Sequence, residues 1–171
     1  MPAELPTSST GPTETQPAGL TTRQEDHDRT LRALQHLERT MGAAAAGPAK
    51  QWHDHAHRAL ASLDAAMADE QRKANQSDSL LSDIARTHSR LRTRVRGCRA
   101  QYVQICETLG TLRHELTQAD ADDLDIADLR RRVDRLASAL RYQRARESDL
   151  IYEAYYETYE TELEADVTGT A

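Results

Sequence analysis

Polar residues interrupt the apolar stripes of the predicted helices at positions where side chains should point inward. Glu70, Tyr102 and Gln143 each take the place of an apolar residue in such a stripe. His27 lies one step of four residues before the stripe of the first helix, and Glu147 lies one turn after Gln143 on the same face. Burying such groups costs on the order of a few kcal/mol each unless they are hydrogen-bonded or bind an ion.

Two kinds of structure would satisfy these groups. In a hydrogen-bonded core network, Tyr102 would donate to Glu70 or Glu147, and His27 would pair with a carboxylate. In a metal site, His27, Glu70 and Glu147 could hold one divalent cation, and Tyr102 could bind as a phenolate if the ion were ferric. The residue types alone leave both possibilities open.

Four segments with helical periodicity would position these residues in one domain that spans residues 21–162. The predicted helices span about residues 22–46, 49–85, 89–117 and 125–161. Residues 1–20 are rich in Pro, Ser, Thr and Gly and are predicted to form a disordered N-terminal arm. Residues 163–171 are predicted to form a disordered C-terminal tail.

Local signals mark both ends of the first helix. Thr22 followed by Glu25 is a capping-box pattern, and Gly47 with Pro48 should stop the helix. Four long amphipathic helices with short connections predict an all-α fold, an up-down-up-down four-helix bundle. A long coiled-coil hairpin that pairs in a dimer would produce similar stripes.

The register of antiparallel helices predicts that the polar residues share one depth. Each helix rises about 1.5 Å per residue, so residues at one depth lie symmetrically about the turn that joins the helices. The midpoint of His27 and Glu70 is 48.5, next to Pro48, and the midpoint of Tyr102 and Gln143 is 122.5, in an Asp-rich loop. The midpoint of Glu70 and Tyr102 is 86, where the turn signal is weaker. The sequence therefore predicts a polar layer to which all four helices contribute.

Three segments resemble the hemerythrin-like (HHE cation-binding) family: QEDHDRTLRALQHLERT, SDSLLSDIARTHSRLRTRVRGCRAQYVQI and RARESDLIYEAYYETY. They are similar to the first helix, the middle hairpin and the end of the last helix of that family. The resemblance covers about residues 23–160. It implies a four-helix bundle that holds a non-haem di-iron centre through histidines and carboxylates.

The family's ligand positions are altered in this chain. His27 matches the first ligand and Glu147 is a usual ligand type, but Glu70, Tyr102 and Gln143 stand where the family has histidines. Two irons need about five or more protein donors among His, Asp and Glu. The resemblance therefore implies that the di-iron site has been lost, which predicts a non-catalytic binding or regulatory protein without a cofactor.

Two other functions fit the same sequence. One is a hemerythrin-like protein that still binds iron or another divalent cation and that binds or senses oxygen or related small molecules. The other is a self-associating structural coiled coil. No P-loop, GxSxG, HExxH or dinucleotide-binding glycine pattern is present in the sequence, so we predict no enzyme.

Histidines and cysteines offer two further groups that could do chemistry. His53 and His57 lie four residues apart in WHDHAHR, and the predicted register brings His57 near His114. This spacing fits a zinc or pH-sensing cluster, although solvated histidines are common near a helix start. Cys98 and Cys106 lack a CxxC spacing and are predicted to be reduced thiols that pack beside the core.

Composition limits the choice of partner. The net charge of −6 and the sequence pI of about 5.6 argue against a nucleic-acid partner, because phosphate contacts need a basic surplus. No eighteen consecutive residues are apolar, and no basic region followed by an apolar run begins the sequence. We therefore predict a cytoplasmic protein that does not bind membranes.

Five of the six tyrosines lie near the C-terminal end. Tyr152, Tyr156 and Tyr159 follow one another at steps of four and three and form a stripe that is turned away from Glu147. The N-terminal arm or another chain could cover this stripe, since tyrosine rings bury area while the hydroxyl stays wet. The stripe thus predicts a surface for a protein partner or for self-association, and the alternative is an ordinary amphipathic surface.

Overall fold

The structure is a computed structural model that describes residues 18–43, 48–120 and 123–168, with side chains from residue 19 to residue 155. In these ranges the chain forms five α-helices: α1 (Ala18–Gly42), α2 (Ala49–Ala74), α3 (Leu80–Thr87), α4 (Arg92–Gln118) and α5 (Ile126–Thr168). A 3-10 turn at Ser89–Leu91 joins α3 to α4. The described ranges contain no strand, which confirms the all-α fold class.

Contacts at opposite ends of α1 and α2 establish that these two helices run antiparallel. Lys73 Nζ, near the end of α2, lies 2.7 Å from Asp26, near the start of α1. At the other end, Trp52 Nε1 donates to the carbonyl of Thr40 at 3.0 Å.

The same antiparallel pattern joins α4 to its neighbours. Near the end of α2, Arg99 of α4 donates to the carbonyl of Ala74 at 3.2 Å. Near the start of α2, the His53 ring bonds to the carbonyl of Leu116 at 2.7 Å. Between α4 and α5, Glu153 pairs with Arg94 near the start of α4.

The core is one continuous cluster of apolar side chains that line the inner faces of the helices. The side chains with no exposed surface include Leu37, Leu60, Leu63, Met67, Leu109, Leu112 and Leu150. Burial of each such side chain contributes roughly 1.5–3 kcal/mol relative to exposure in water. These positions follow the predicted stripes, because helical steps of three and four place them on one face.

The first helix begins earlier than its local signals predict. α1 starts at Ala18, so Thr22 lies inside the helix and the predicted capping box at Thr22 does not form its start. A Cβ placed on Gly19 would lie 3.9 Å from Cβ of Leu80, so the first turn of α1 packs closely against α3. This tertiary packing extends the helix into the segment that was predicted to be an arm. The rest of that segment lies outside the described residues.

The predicted second helix, residues 49–85, is wrong as a single element. It is divided into α2 and α3 by a turn that follows Ala74, and Ser77 lies in this turn. Ser79 caps α3 by accepting a hydrogen bond from the backbone N–H of Ser82 at 3.2 Å. Asn, Ser and Asp compete with helical hydrogen bonds through their own side chains, which explains the break in NQSDS.

The last helix ends later than predicted. The backbone of α5 is helical through Thr168, beyond the predicted end at 161 and through most of the segment predicted to be a disordered tail. Residues 169–171 lie outside the described ranges. Glu, Ala and Leu in this segment are strong helix formers, which explains the extension. No helix in the described ranges is long and apolar enough to cross a lipid bilayer.

Candidate functional site

The structure brings four of the predicted polar residues together in one buried layer. His27 comes from α1, Glu70 from α2, Tyr102 from α4 and Glu147 from α5. The side chains of Glu70 and Glu147 are 2% and 0% exposed, and that of His27 is 16% exposed. The layer lies in the half of the molecule where α1 begins and α2 ends.

Glu147 makes several of the contacts that hold the layer together. Arg23 Nε donates to Glu147 Oε1 at 2.5 Å, and the Tyr102 hydroxyl donates to Glu147 Oε2 at 2.7 Å. The Arg23 guanidinium also donates to the Tyr102 hydroxyl and lies 5.3 Å from the centre of its ring. Arg23, Tyr102 and Glu147 therefore form a closed set of charge-assisted hydrogen bonds.

Glu70 is satisfied by a second set of donors. The hydroxyl of Thr30 donates to Glu70 Oε1, and Arg144 Nη2 donates to the same oxygen at 3.2 Å. The Tyr102 hydroxyl lies 3.2 Å from Glu70 Oε2, so its single proton can be shared between this carboxylate and Glu147. Both buried carboxylates thus face a guanidinium and a hydroxyl.

His27 is close to both carboxylates but is not bonded to either. Its Nε2 atom lies 3.8 Å from an oxygen of Glu70 and 3.8 Å from an oxygen of Glu147. This buried nitrogen has no hydrogen-bond partner in the described structure. Burial lowers the pKa of His27, and the nearby Arg144 and Arg23 act in the same direction, while the two carboxylates oppose them. The ring is therefore favoured in its neutral form.

The predicted position of Gln143 in the layer differs from the observed one. Gln143 is buried, and its Nε2 atom donates to the carbonyl of Cys98 at 3.2 Å, one turn before Tyr102. The Tyr102 hydroxyl instead donates a hydrogen bond to Glu147. Helical side chains lean toward the N-terminus of their own helix, so Tyr102 reaches toward the later residues of the antiparallel α5. The Oε1 atom of Gln143 has no hydrogen-bond partner in the described structure.

The electrostatics of the layer favour fixed protonation states. Burial would lower the pKa of Arg23, but its hydrogen bond and charge pairing with Glu147 outweigh that effect and raise it. Burial would raise the pKa of Glu147, but the bond to Arg23 outweighs it and lowers the pKa. Burial, with the charge of Glu147, raises the pKa of Tyr102 well above its ordinary value. The layer thus holds a carboxylate, a guanidinium and a neutral phenol.

Three members of this layer were not predicted from the sequence: Arg23, Thr30 and Arg144. A signal for two of them was present, because Arg23 lies four residues before His27 and Thr30 lies three residues after it. The inward stripe of α1 therefore continues through both positions. An arginine at a helix start resembles a solvated charge, which is why its burial to 8% exposure was not expected.

A cleft of about 340 Å³ opens beside the layer, between the first turns of α1 and the turn that joins α2 to α3. Arg23, Asp26 and Lys73 line one side of it, and Lys73 is 2.7 Å from Asp26. Among these cleft residues, Arg23 belongs to the buried layer itself. The cleft therefore borders the Arg23 side of the layer.

In the part of the chain that the structure describes, His53, His57 and His114 do not form a group that could hold a metal ion. His53 bonds to the carbonyl of Leu116, and the His57 ring bonds to the hydroxyl of Thr117 at 3.2 Å. These contacts attach the start of α2 to the end of α4. Both cysteines are free thiols, and burial raises the pKa of Cys106 to about 11, so little thiolate is present at neutral pH.

The predicted tyrosine surface is described only at its beginning. Tyr152 is 69% exposed. Tyr156 and Tyr159 belong to α5, but the structure describes side chains only up to residue 155. The interaction surface therefore stays a prediction.

The residues present do not fit a di-iron centre. The layer offers one imidazole and two carboxylates, and the Glu147 oxygen that faces His27 already accepts a hydrogen bond from Arg23. Over the described ranges, no group of three or more His, Cys, Asp and Glu side chains is arranged to hold a metal ion. Comparisons with models of protein families, with curated proteins and with solved structures found no match to the chain.

Proposed function

We propose that the chain is an up-down-up-down four-helix bundle of the hemerythrin-like type that has lost its di-iron site and acts as a non-catalytic binding or regulatory protein. The antiparallel contacts between α1 and α2, between α2 and α4, and between α4 and α5 support this architecture. A polar layer to which all four long helices contribute also supports it.

The main support for loss of the di-iron site is the buried guanidinium of Arg23. Two carboxylates in the layer are matched by two guanidinium groups, since Arg23 pairs with Glu147 and Arg144 pairs with Glu70. A divalent cation would add two positive charges to a layer whose carboxylates are already neutralised. Each unit charge placed about 4 Å from a guanidinium costs about 4 kcal/mol at an effective dielectric constant of 20.

Contacts within the layer also argue against a role in general acid–base catalysis. The Tyr102 hydroxyl is held by the Glu147 carboxylate, and its raised pKa keeps it protonated. His27 Nε2 faces carboxylate oxygens and has no hydrogen-bond partner in the described structure, so it is not paired with a nucleophile there. These contacts support a structural role for the layer.

Metal analysis of the purified full-length protein tests this proposal. We expect far less than one iron per chain, both as purified and after anaerobic loading with ferrous iron and removal of the excess, and no charge-transfer band on exposure to air. One or more tightly bound irons per chain, with a band that disappears in His27→Ala and persists in His36→Ala, would overturn the proposal. His36 is a suitable control because it lies exposed on the same helix.

One observation favours a second candidate function, a protein that binds a single cation. The buried Nε2 atom of His27 has no hydrogen-bond partner and lies 3.8 Å from oxygens of both Glu70 and Glu147. A divalent ion there would require the Arg23 guanidinium to withdraw from Glu147. If this function is correct, Arg23→Gln will bind a divalent ion more tightly than the wild type, and His27→Ala in that background will abolish the binding.

A further inference from the structure

A run of arginines without acids leads from α3 into α4. Residues 84–106 contain six Arg and no Asp or Glu. Three of the six pair with the carboxylate of Asp83 or of Glu153; these are Arg86, Arg90 and Arg94. The other three donate to neutral acceptors in the described structure; these are Arg92, Arg96 and Arg99. Half of the run is therefore left without a carboxylate partner among the described residues.

The three arginines without a carboxylate form a stripe on the outer face of α4. Arg92, Arg96 and Arg99 follow one another at steps of four and three, which places them on one side of the helix. Arg92 and Arg96 are exposed, and Arg99 is half-buried. Val103 continues the stripe four residues further on and is 41% exposed. We refer to these four residues, which span about 16 Å along the helix axis, as the arginine stripe.

The arginine stripe does not stabilise the helix that carries it. Like charges three and four residues apart on a helix repel one another, which applies to Arg92 with Arg96 and to Arg96 with Arg99. Arg92 also lies in the first turn of α4, where the helix dipole disfavours a cation and where no acid is present. Anionic groups that bind along the stripe would relieve this repulsion.

Hydrogen bonds to neighbouring elements hold two of the guanidinium groups in place. Arg92 Nε donates to the carbonyl of Ala85 at 2.9 Å. Arg99 Nε donates to the carbonyl of Ala74 at 3.2 Å, and Arg99 Nη2 donates to the hydroxyl of Ser82 at 2.6 Å. A guanidinium has five N–H donors, so both groups keep donors for a carboxylate of a partner. Side chains that are already held lose less conformational entropy when a partner binds.

We infer that the arginine stripe is a docking surface for an acidic helix of a partner protein. Acidic residues at steps of three and four on that helix would face the arginines, and an apolar residue further along would cover Val103. Bonds between guanidinium and carboxylate groups are charge-assisted and add geometric specificity. This inference rests on the proposed role of the chain as a binding protein, and it names the class of partner.

A nucleic acid fits the arginine stripe less well than an acidic helix does. The chain has a net charge of −6, and this charge repels a polyanion that extends far beyond the stripe. The stripe also contains no aromatic side chain on which a base could stack. A short acidic helix meets the arginines and keeps its charge away from most of the acidic surface.

Binding of labelled peptides to the full-length protein, measured by fluorescence anisotropy, tests the inference. The probe is a synthetic Ala-rich helix of about 18 residues with Glu at steps of four and three on one face, followed by Leu on the same face. One control peptide carries Gln in place of Glu. A second control has the composition of the probe, with its Glu residues distributed around the helix. A single-stranded oligothymidylate with the net charge of the probe tests the nucleic-acid alternative.

Matched protein variants separate the arginine stripe from general positive charge. Arg92→Gln with Arg96→Gln removes two exposed charges of the stripe, whereas Arg32→Gln with Arg58→Gln removes two exposed charges from α1 and α2. Arg96→Gln alone is a second test variant. Its described hydrogen bond is to Thr93 of the same helix, so this change leaves the contacts between helices intact. Circular dichroism should establish that every variant is folded.

We expect saturable binding of the acidic helix that weakens as the salt concentration rises. The double variant of the stripe should lose affinity by about tenfold or more, and Arg96→Gln by about threefold or more, because each loses charge-assisted bonds to the peptide. The control variant Arg32→Gln with Arg58→Gln should bind the probe as the wild type does.

Several outcomes would overturn the inference. These are no binding of the acidic helix, equal binding of a control peptide, and equal affinity of the double variant of the stripe and the wild type. Tighter binding of the oligothymidylate that depends on the stripe would assign the surface to a nucleic acid. A dimer of the wild type that Arg96→Gln loses, measured by light scattering, would assign it to a second copy. The iron measurement on the same preparations is independent, so failure of the docking inference and failure of the metal-free proposal are distinguished.

Discussion

At the residue scale, Arg23 is the group on which the polar layer depends. It is one of the cations matched to the layer's two carboxylates, it donates to the Tyr102 hydroxyl, and it is itself 8% exposed. A buried carboxylate without its cation keeps the full desolvation cost but loses the attraction that offsets it. The contribution of Arg23 to the free energy of unfolding therefore depends on the charge of Glu147, and the two residues should be substituted together.

We expect Arg23→Met to lower the free energy of unfolding by about 3–5 kcal/mol, because it leaves the Glu147 charge buried and unpaired. Adding Glu147→Gln to Arg23→Met should recover part of the loss, since the second change removes that charge. Urea denaturation of both variants and of Glu147→Gln completes a double-mutant cycle. Arg32→Met, at an exposed position on the same helix, should change stability by no more than about 0.5 kcal/mol. Additive effects of the two substitutions would contradict the pairing.

The protonation of His27 predicts how stability depends on pH. Its pKa is lowered by burial from the ordinary value of 6.5, so the unfolded chain binds this proton more tightly than the folded protein does. The free energy of unfolding should therefore fall as pH decreases below about 6.5. The pKa of Glu147 is also lowered, so its contribution is present above about 4.5 and is lost as pH falls through its folded value.

We expect the wild type to lose stability between about pH 7.5 and about pH 5.5, and His27→Gln to lose measurably less over the same interval. Denaturant unfolding at several pH values gives the two curves. His36→Gln, which alters an exposed histidine of α1, should follow the wild-type curve. If His27→Gln also follows it, the histidine is protonated equally in the folded and unfolded states.

Residue patterns could predict part of this layer and not the rest. Glu70, Tyr102 and Glu147 stood out because each is polar at an inward position, and such positions must find partners. The backbone acceptor of Gln143, the carbonyl of Cys98, could not be predicted because a carbonyl has no signature in the sequence. Arg23 could have been found by one further step of four along the stripe, had its charge not suggested exposure.

At the element scale, the turn between α2 and α3 separates a long helix from a short one. Ser79 accepts from the N–H of Ser82 at 3.2 Å and lies 3.1 Å from the carbonyl of Ala74. Arg99 of α4 reaches the same carbonyl and the hydroxyl of Ser82. The end of α2 and the start of α3 are thus satisfied by side chains and are held against α4.

We expect Ser79→Ala to lower the free energy of unfolding by about 1 kcal/mol, because it removes the side-chain acceptor that caps α3. Ser77→Ala, at an exposed position in the same turn, is the control and should be nearly neutral. Thermal or urea unfolding of both variants makes the comparison. Equal effects of the two substitutions would mean that the cap contributes nothing.

The turn illustrates why helix boundaries were harder to predict than helix faces. Leu81 and Ile84 keep the helical step from Ala74, so the apolar pattern alone continues through the break. The boundary depends on the side chains of NQSDS, each of which has only a weak preference for leaving the helix. The start of α1 packs against α3. Such a tertiary contact cannot be predicted from the residues near the start of the helix.

At the scale of the whole molecule, the relative depth of two helix pairs agrees with the register that the sequence predicts, because the turn between two helices fixes their register. The pairs Thr30 with Glu70 and Tyr102 with Glu147 lie close to the depths that reflection about positions 48.5 and 122.5 predicts. Helix α5 was predicted to end at about residue 161, and its continuation to Thr168 was not predicted. The relative depth of paired helices is therefore more predictable here than the residue at which a helix ends.

The continuous core implies that the polar layer and the far end of the molecule unfold together. Trp52 lies at the end opposite Arg23, since its indole bonds to Thr40 and α1 rises about 26 Å between positions 23 and 40. We expect the Arg23→Met substitution to move the unfolding midpoint by the same amount when Trp52 fluorescence and far-ultraviolet circular dichroism are the probes. The only tryptophan makes the fluorescence signal specific to that end. A fluorescence midpoint that stays at the wild-type value while the dichroism midpoint shifts would instead divide the molecule into two independently unfolding parts.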